Sequence, residues 1–158
     1  MSMEKRSDPE QSPRASKVVV MVTGSPGTEG RLVDWSYDAN FDPGSSGSNN
    51  KDTMKFPYKS GAHRIEFSLT DNTGFGLSFY TDATQAMWAV TGTTCPTGAG
   101  DAGGEIQYLS VKDGVLTVIN KNKDPGDLCY ALRFDGQPQL LVPPYVYDPI
   151  MNNGGGGR

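Results

Sequence analysis

The chain is poor in the residues that carry most catalytic and metal chemistry. Across 158 residues it has one histidine, His63, and two cysteines, Cys95 and Cys129. A single histidine excludes a two-histidine metal site, and with it a blue-copper centre. Two cysteines and a distant histidine do not make a zinc site. Ser-His or Cys-His catalysis is limited to one base, and no nucleophile-elbow motif accompanies it. A basic excess is also missing. The net charge is −4, which argues against a nucleic-acid or anionic-membrane partner. No apolar run approaches spanning length; Val18-Val19-Val20-Met21-Val22 is the size of one strand. The first residues are polar and charged (Glu4, Lys5, Arg6, Asp8, Glu10) and lack the apolar core of a secretory leader. A cytoplasmic location is the expectation, with both cysteines as free thiols.

Other motifs fall short of their templates. Gly24-Ser25-Pro26-Gly27-Thr28-Glu29-Gly30 follows a strand-like run but has no P-loop lysine. Asp38, Asp42 and Asp52 lack EF-hand spacing. The expectation is a protein that needs no metal and no organic cofactor.

What the chain does have is turns. Its 20 glycines and 11 prolines fall largely in clusters, which predicts many turns and few helices. Residues 1–16 are Ser, Pro, Gln and charge without periodicity, and read as a disordered tail. Strands are predicted over 17–23 and 32–37. Residues 40–52 read as a polar loop. In 63–69, Ile65, Phe67 and Leu69 alternate with Arg64, Glu66 and Ser68, the period of a half-buried strand. Further strands are predicted over 75–81 and 87–90, with one helical turn at 82–86 and a Gly/Thr loop over 91–104. Residues 105–112 and 115–120 flank Asp113-Gly114, the signal of a type I′ hairpin. The last extended pieces are 128–134, 140–142 and 145–147, with Pro143-Pro144 breaking the final run. The fold class this predicts is all-β: an antiparallel β-sandwich, Ig-like or jelly-roll-like, of about seven to nine short strands. It would occupy 17–148, leaving 149–158 as a C-terminal tail.

Four Asp-Pro pairs occur, at Asp8, Asp42, Asp124 and Asp148. Asp-Pro commonly starts a turn. Asp148-Pro149 differs because it follows the aromatic run Tyr145-Val146-Tyr147 rather than lying in a polar loop. An Asp held against apolar neighbours keeps its proton more readily. Its carboxyl can attack its own main-chain carbonyl, closing an anhydride and releasing the proline nitrogen. Lys121 and Lys123 end the 115–120 strand; a buried, neutral lysine amine could open such an anhydride and leave a Lys–Asp isopeptide. His63, with Glu66 and Asp71 nearby in sequence, is the remaining group that could handle a proton or a water.

The run Leu116-Thr117-Val118-Ile119-Asn120-Lys121-Asn122, then Tyr130-Ala131-Leu132-Arg133-Phe134, then a terminal Asp148-Pro149 resembles the DP-EP family of self-cleaving, self-assembling aspartic endopeptidases. The resemblance implies a β-sandwich cut after Asp148, with Pro149 as a new N-terminus. It also implies that the released peptide stays bound and that Lys121, or else Lys123, becomes joined to Asp148. The chain departs from that pattern in carrying Ile150-Met151 after the Asp-Pro pair, and residues 140–145 look inserted.

Two readings follow. The first is an autoproteolytic sandwich with Asp148, Pro149, Lys121, Lys123, His63 and Glu66 as site residues, acting once on its own chain. The alternative is a non-enzymatic binding or assembly module whose proline-broken last strand exposes a sheet edge to another copy. In both, the expected partner is the protein itself, as a homo-oligomer or a retained C-terminal peptide. A weaker third reading places a sugar on Trp35 or Trp88.

Overall fold

The structure, a computed structural model, describes residues 16–42, 47–50, 53–57, 61–92, 94–96, 98–101, 104–136, 145–147 and 149–153. Of the expected tail over 1–16, only Ser16 is described, and it opens a strand rather than ending a tail; the expected strand over 140–142, Asp52 and Asp148 lie outside the described residues.

The chain is all-β, two sheets packed face to face. Strands β1 (Ser16–Pro26), β2 (Val33–Phe41), β5 (His63–Asp71), β9 (Ile106–Lys112) and β10 (Val115–Asn120) form the first sheet, in the order β2-β1-β5-β10-β9. The second is built from β3 (Ser48–Asn50), β4 (Thr53–Lys55), β7 (Met87–Thr91), β8 (Gly100–Asp101), β11 (Asp127–Asp135) and β13 (Ile150–Asn152). Their order is β3-β4-β13-β11-β7-β8. Two further strands, β6 (Ser78–Phe79) and β12 (Val146–Tyr147), also pair with β11. A single helical turn, α1 (Ala83–Ala86), is capped by the Asp82 carboxylate, which accepts from the Thr84 amide. None of the described helical residues is part of a span long and apolar enough to cross a membrane.

Alternation explains the packing. Val18, Val20 and Val22 on β1, Ile65 and Phe67 on β5, and Leu116 and Val118 on β10 point inward. They meet Leu128, Tyr130, Leu132 and Phe134 of β11, with Phe67 and Tyr130 ring centroids 5.9 Å apart across the two sheets. The Asp-Gly hairpin forms as the sequence predicts: Asp113 and Gly114 take φ of 53° and 79°, and β9 and β10 pair antiparallel around them.

Three expectations need correction. The sheets are mixed, not purely antiparallel: β1 with β5, β4 with β13 and β7 with β8 run parallel. The chain leaves the first sheet after β2, forms β3 and β4 in the second, and returns beside β1 in the same direction. Such an excursion is what a parallel pair needs. Secondly, thirteen strands are present among the described residues, above the expected seven to nine. The surplus comes from short strands at Ser48–Asn50 and Gly100–Asp101, which read as loops, at Thr53–Lys55, which read as no element, and at Ile150–Asn152, which read as tail.

Thirdly, residues 149–158 do not begin as a tail. Ile150–Asn152 is an interior strand, parallel to β4 on one side and antiparallel to β11 on the other. Met151 is fully buried. The Asn152 side chain donates to Asp127 Oδ1 (2.8 Å), and the Asn152 carbonyl accepts from the Phe56 amide (2.7 Å). Asn153 and Asn120 exchange reciprocal side-chain hydrogen bonds of 2.8 and 3.1 Å, tying β13 to the first sheet. The described strand Ile150–Asn152 therefore supplies no open edge; Pro143-Pro144, which break the final run, lie outside the described residues.

Met151→Ala should lower unfolding free energy by about 2–5 kcal/mol, the cost of a cavity in a packed core. Denaturant titration checks this; a change within error would mean that β13 is not part of the cooperative unit.

Candidate functional site

Among the described residues, the long strand edge to which no strand pairs is the outer side of β2. It pairs antiparallel with β1 in one unbroken register, from Val18 opposite Phe41 to Pro26 opposite Val33. The Gly27 amide donates to the Leu32 carbonyl (3.2 Å) and the Asp42 amide to the Lys17 carbonyl (3.0 Å). These bonds set the parity of the ladder: Asp34, Ser36, Asp38 and Asn40 direct their backbone groups toward β1. Val33, Trp35, Ala39 and Phe41 direct theirs away from it. No described strand pairs with that far side.

Side chains follow the same alternation. Asp34, Ser36, Asp38 and Asn40 face solvent, while Val33, Trp35, Tyr37, Ala39 and Phe41 face the core. Trp35 stacks on Phe134 (4.9 Å) and on Tyr147 (5.9 Å). It also lies over Gly24, where a Cβ would sit 3.0 Å from the indole, so glycine is the residue that lets the ring close down. The Tyr37 hydroxyl donates to Asn49 Oδ1 of β3 (2.7 Å). At the hairpin end, Asp34 accepts from Arg31 Nε and Thr28 Oγ1, both at 2.7 Å. The Arg31 bond, then the Thr28 bond, hold the Asp34 carboxyl below its usual range. The hairpin that presents β2 is thus fastened at its turn.

Among the described residues the other edges are short or disrupted. β3 has three residues, and β6, β8 and β12 have two each. β9 carries a bulge where its register with β10 shifts between Thr117 and Val118, and it ends in Lys112. A bulge, a lysine or brevity is how an edge is kept from recruiting strands. β2 has nine residues, no proline, no lysine and no register break.

The residues singled out for chemistry are dispersed. His63 and Glu66 lie on opposite faces of β5. His63 is buried, with its ring 4.4 Å from Phe56, and burial lowers its pKa to about 4. Glu66 faces outward to Arg64 (3.2 Å) and Lys17 (3.5 Å). Asp71 does not orient His63; its carboxylate caps the following loop, accepting from the Thr73 and Leu77 amides at 2.8 and 2.9 Å. Lys121 and Lys123 sit on a segment pinned by buried Glu105, whose carbonyl accepts from the Lys121 amide (3.0 Å) and whose carboxylate accepts from the Lys123 amide (2.7 Å). Pro149 is buried in the second sheet, its carbonyl accepting from the Tyr130 amide (3.2 Å). Because Asn120 meets Asn153, β10 ends at the opposite end of β13 from Pro149. Cys95 is exposed and Cys129 is buried on β11.

The tryptophans are engaged by the protein itself. Trp35 is taken up between the sheets as described. Trp88 lies under the Arg133 guanidinium at 4.0 Å and donates its indole N–H to Gln85 Oε1 (3.3 Å). Arg133 is in turn held by the Gln85 carbonyl at 3.1 Å.

The chain matches no protein-family model and no curated protein. Among solved structures it is similar to the crystal structure of the inclusion body protein PixA from Burkholderia cenocepacia J2315. The TM-score is 0.44 at 10% identity, over 87% of this chain and 94% of that one.

A depressed histidine makes stability fall as pH falls. Between the unfolded pKa near 6.5 and the folded value of about 4, the unfolded chain takes up a proton that buried His63 refuses. Stability is full above about pH 6.5, and should drop by at most about 2 kcal/mol from pH 7.5 to 5. Denaturation curves at both pH values check this. His63→Gln should flatten the slope over that window; an unchanged slope would assign it to other groups.

Proposed function

We propose that this chain is a non-enzymatic β-sandwich assembly module that recruits an extended strand onto the outer side of β2. The observation that carries the reading is the state of that edge: long, regular and without the features that blunt the others. A docking strand would gain main-chain hydrogen bonds from Val33, Trp35, Ala39 and Phe41. It would also cover the partly buried side chains of Trp35, Ala39 and Phe41.

The reading gives concentration-dependent oligomers of one unbroken chain. Ala39→Pro removes an outward N–H and puts a ring on the edge, a place where a sheet tolerates proline. Sedimentation velocity should show assembly of the wild type and about a tenfold or greater loss of affinity in the variant, with an unchanged far-ultraviolet spectrum. Assembly indifferent to Ala39→Pro would sink the reading.

Self-cleavage at Asp148-Pro149 is the second reading. What supports it is the pairing of Ile150–Asn152 on both sides, which would retain a released peptide. A denaturing intact mass separates the two: one full-length species fits the assembly module, and loss of residues 149–158 fits cleavage.

A further inference from the structure

Independently of assembly, we infer that Asn153 is a deamidation site gated by the end of β13: the docked strand keeps the side-chain amide, the opened strand loses it, and the product does not dock again.

Of the chain's eight asparagines, Asn153 is the one followed by glycine. Glycine has no Cβ to crowd its own nitrogen. In an opened strand the Gly154 main-chain nitrogen attacks the Asn153 side-chain carbonyl carbon. The new C–N bond closes a succinimide ring. The side-chain nitrogen leaves as ammonia and carries off the proton that the glycine nitrogen gives up. Water then adds to one of the ring carbonyls and breaks its bond to the ring nitrogen. Aspartate or isoaspartate results, and water is the co-reactant.

The docked strand prevents the first step. Asn153 is 1% exposed. Its backbone N–H donates to the Gly126 carbonyl (2.9 Å). Its Oδ1 accepts from Asn120 Nδ2 (2.8 Å), and its Nδ2 donates to Asn120 Oδ1 (3.1 Å). Turning this side chain onto its own main chain breaks both side-chain bonds while the two amides are still shielded from water. Release comes with the opening of β13, whose last residue, Asn152, pairs with Asp127 on one side and Lys55 on the other. The native rate is then the unfolded rate scaled by the fraction of time the strand is open.

The same contacts reject the product. Asn120 Oδ1 also accepts from the Asn122 amide (3.1 Å). A main-chain N–H only donates, so the atom that Asn120 turns to it is the oxygen, and that oxygen takes a donor from Asn153. Deamidation puts a carboxylate oxygen in place of the Asn153 nitrogen. Two acceptors then face each other, and a charge enters a buried site built from neutral amides.

Peptide-mapping mass spectrometry reads the gating on the full chain, incubated in mildly alkaline buffer with and without urea beyond the unfolding transition. Residue 153 should deamidate at least about tenfold more slowly in the native sample than in urea. Asn120→Ala should raise the native rate about threefold or more and leave the rate in urea unchanged. Equal native and urea rates in the wild type overturn the gating, whether or not the Asn120 variant folds. A folded Asn120→Ala that deamidates no faster than the wild type overturns the part given to the amide pair. Asn153→Asp installs the product. At a fixed urea concentration near the wild-type midpoint and at neutral pH, its folded-to-unfolded ratio should fall about tenfold or more. A ratio equal to that of the wild type overturns the rejection of the product and leaves the gating intact.

Discussion

A β-strand has two hydrogen-bonding sides, and each backbone N–H and C=O on them needs a partner or water. Most of this sandwich is arranged around meeting that need. β1, β5 and β10 have a strand on each side in the first sheet, and β4, β13, β11 and β7 do in the second. Among the described residues, where pairing ends it ends in short strands or at the bulged β9. The exception is β2, long and regular, with the outward groups of Val33, Trp35, Ala39 and Phe41 beyond the reach of any described strand. The same alternation that buries Trp35 against Phe134 fixes which backbone groups point outward, so the core and the open edge are two consequences of one register.

The C-terminal end answers to the same constraint in the opposite way. Its polar Asn152-Asn153 pair is buried because each amide finds a partner: Asp127, Asn120 and the carbonyl of Gly126. Buried amides are costly when unsatisfied and specific when satisfied. Here they register β13 between β4 and β11. The groups considered for proton transfer are spent differently. His63 is held uncharged inside, and Glu66 belongs to a surface ion-pair cluster on the other face of β5.

Much of the fold was legible because it obeys simple periods. His63–Asp71, Ile106–Lys112 and Val115–Asn120 alternate or flank Asp-Gly, and their strands appear where the pattern puts them. The cap Asp82 marks its single helical turn. The short strands were not legible: Ser48–Asn50, Thr53–Lys55, Gly100–Asp101 and Ile150–Asn152 are too brief to show a period and owe their conformation to neighbours in space. Parallel pairing is likewise a property of the path between sheets. The open edge could have been read further. Trp35, Tyr37, Ala39 and Phe41 alternate with Asp34, Ser36, Asp38 and Asn40, but the polar residues from Asn40 onward masked the strand's end. Which side of β2 stays open depends on where β1 lies, and that is tertiary information.

Amide hydrogen exchange resolved along β2 reaches the central claim most directly. The amides of Ser36 and Asp38, which point to β1, should exchange slowly at every protein concentration. Those of Trp35, Ala39 and Phe41 should exchange fast in dilute solution and become protected as concentration rises through the association range. Exchange of these three that is independent of concentration would contradict assembly through the outer side of β2.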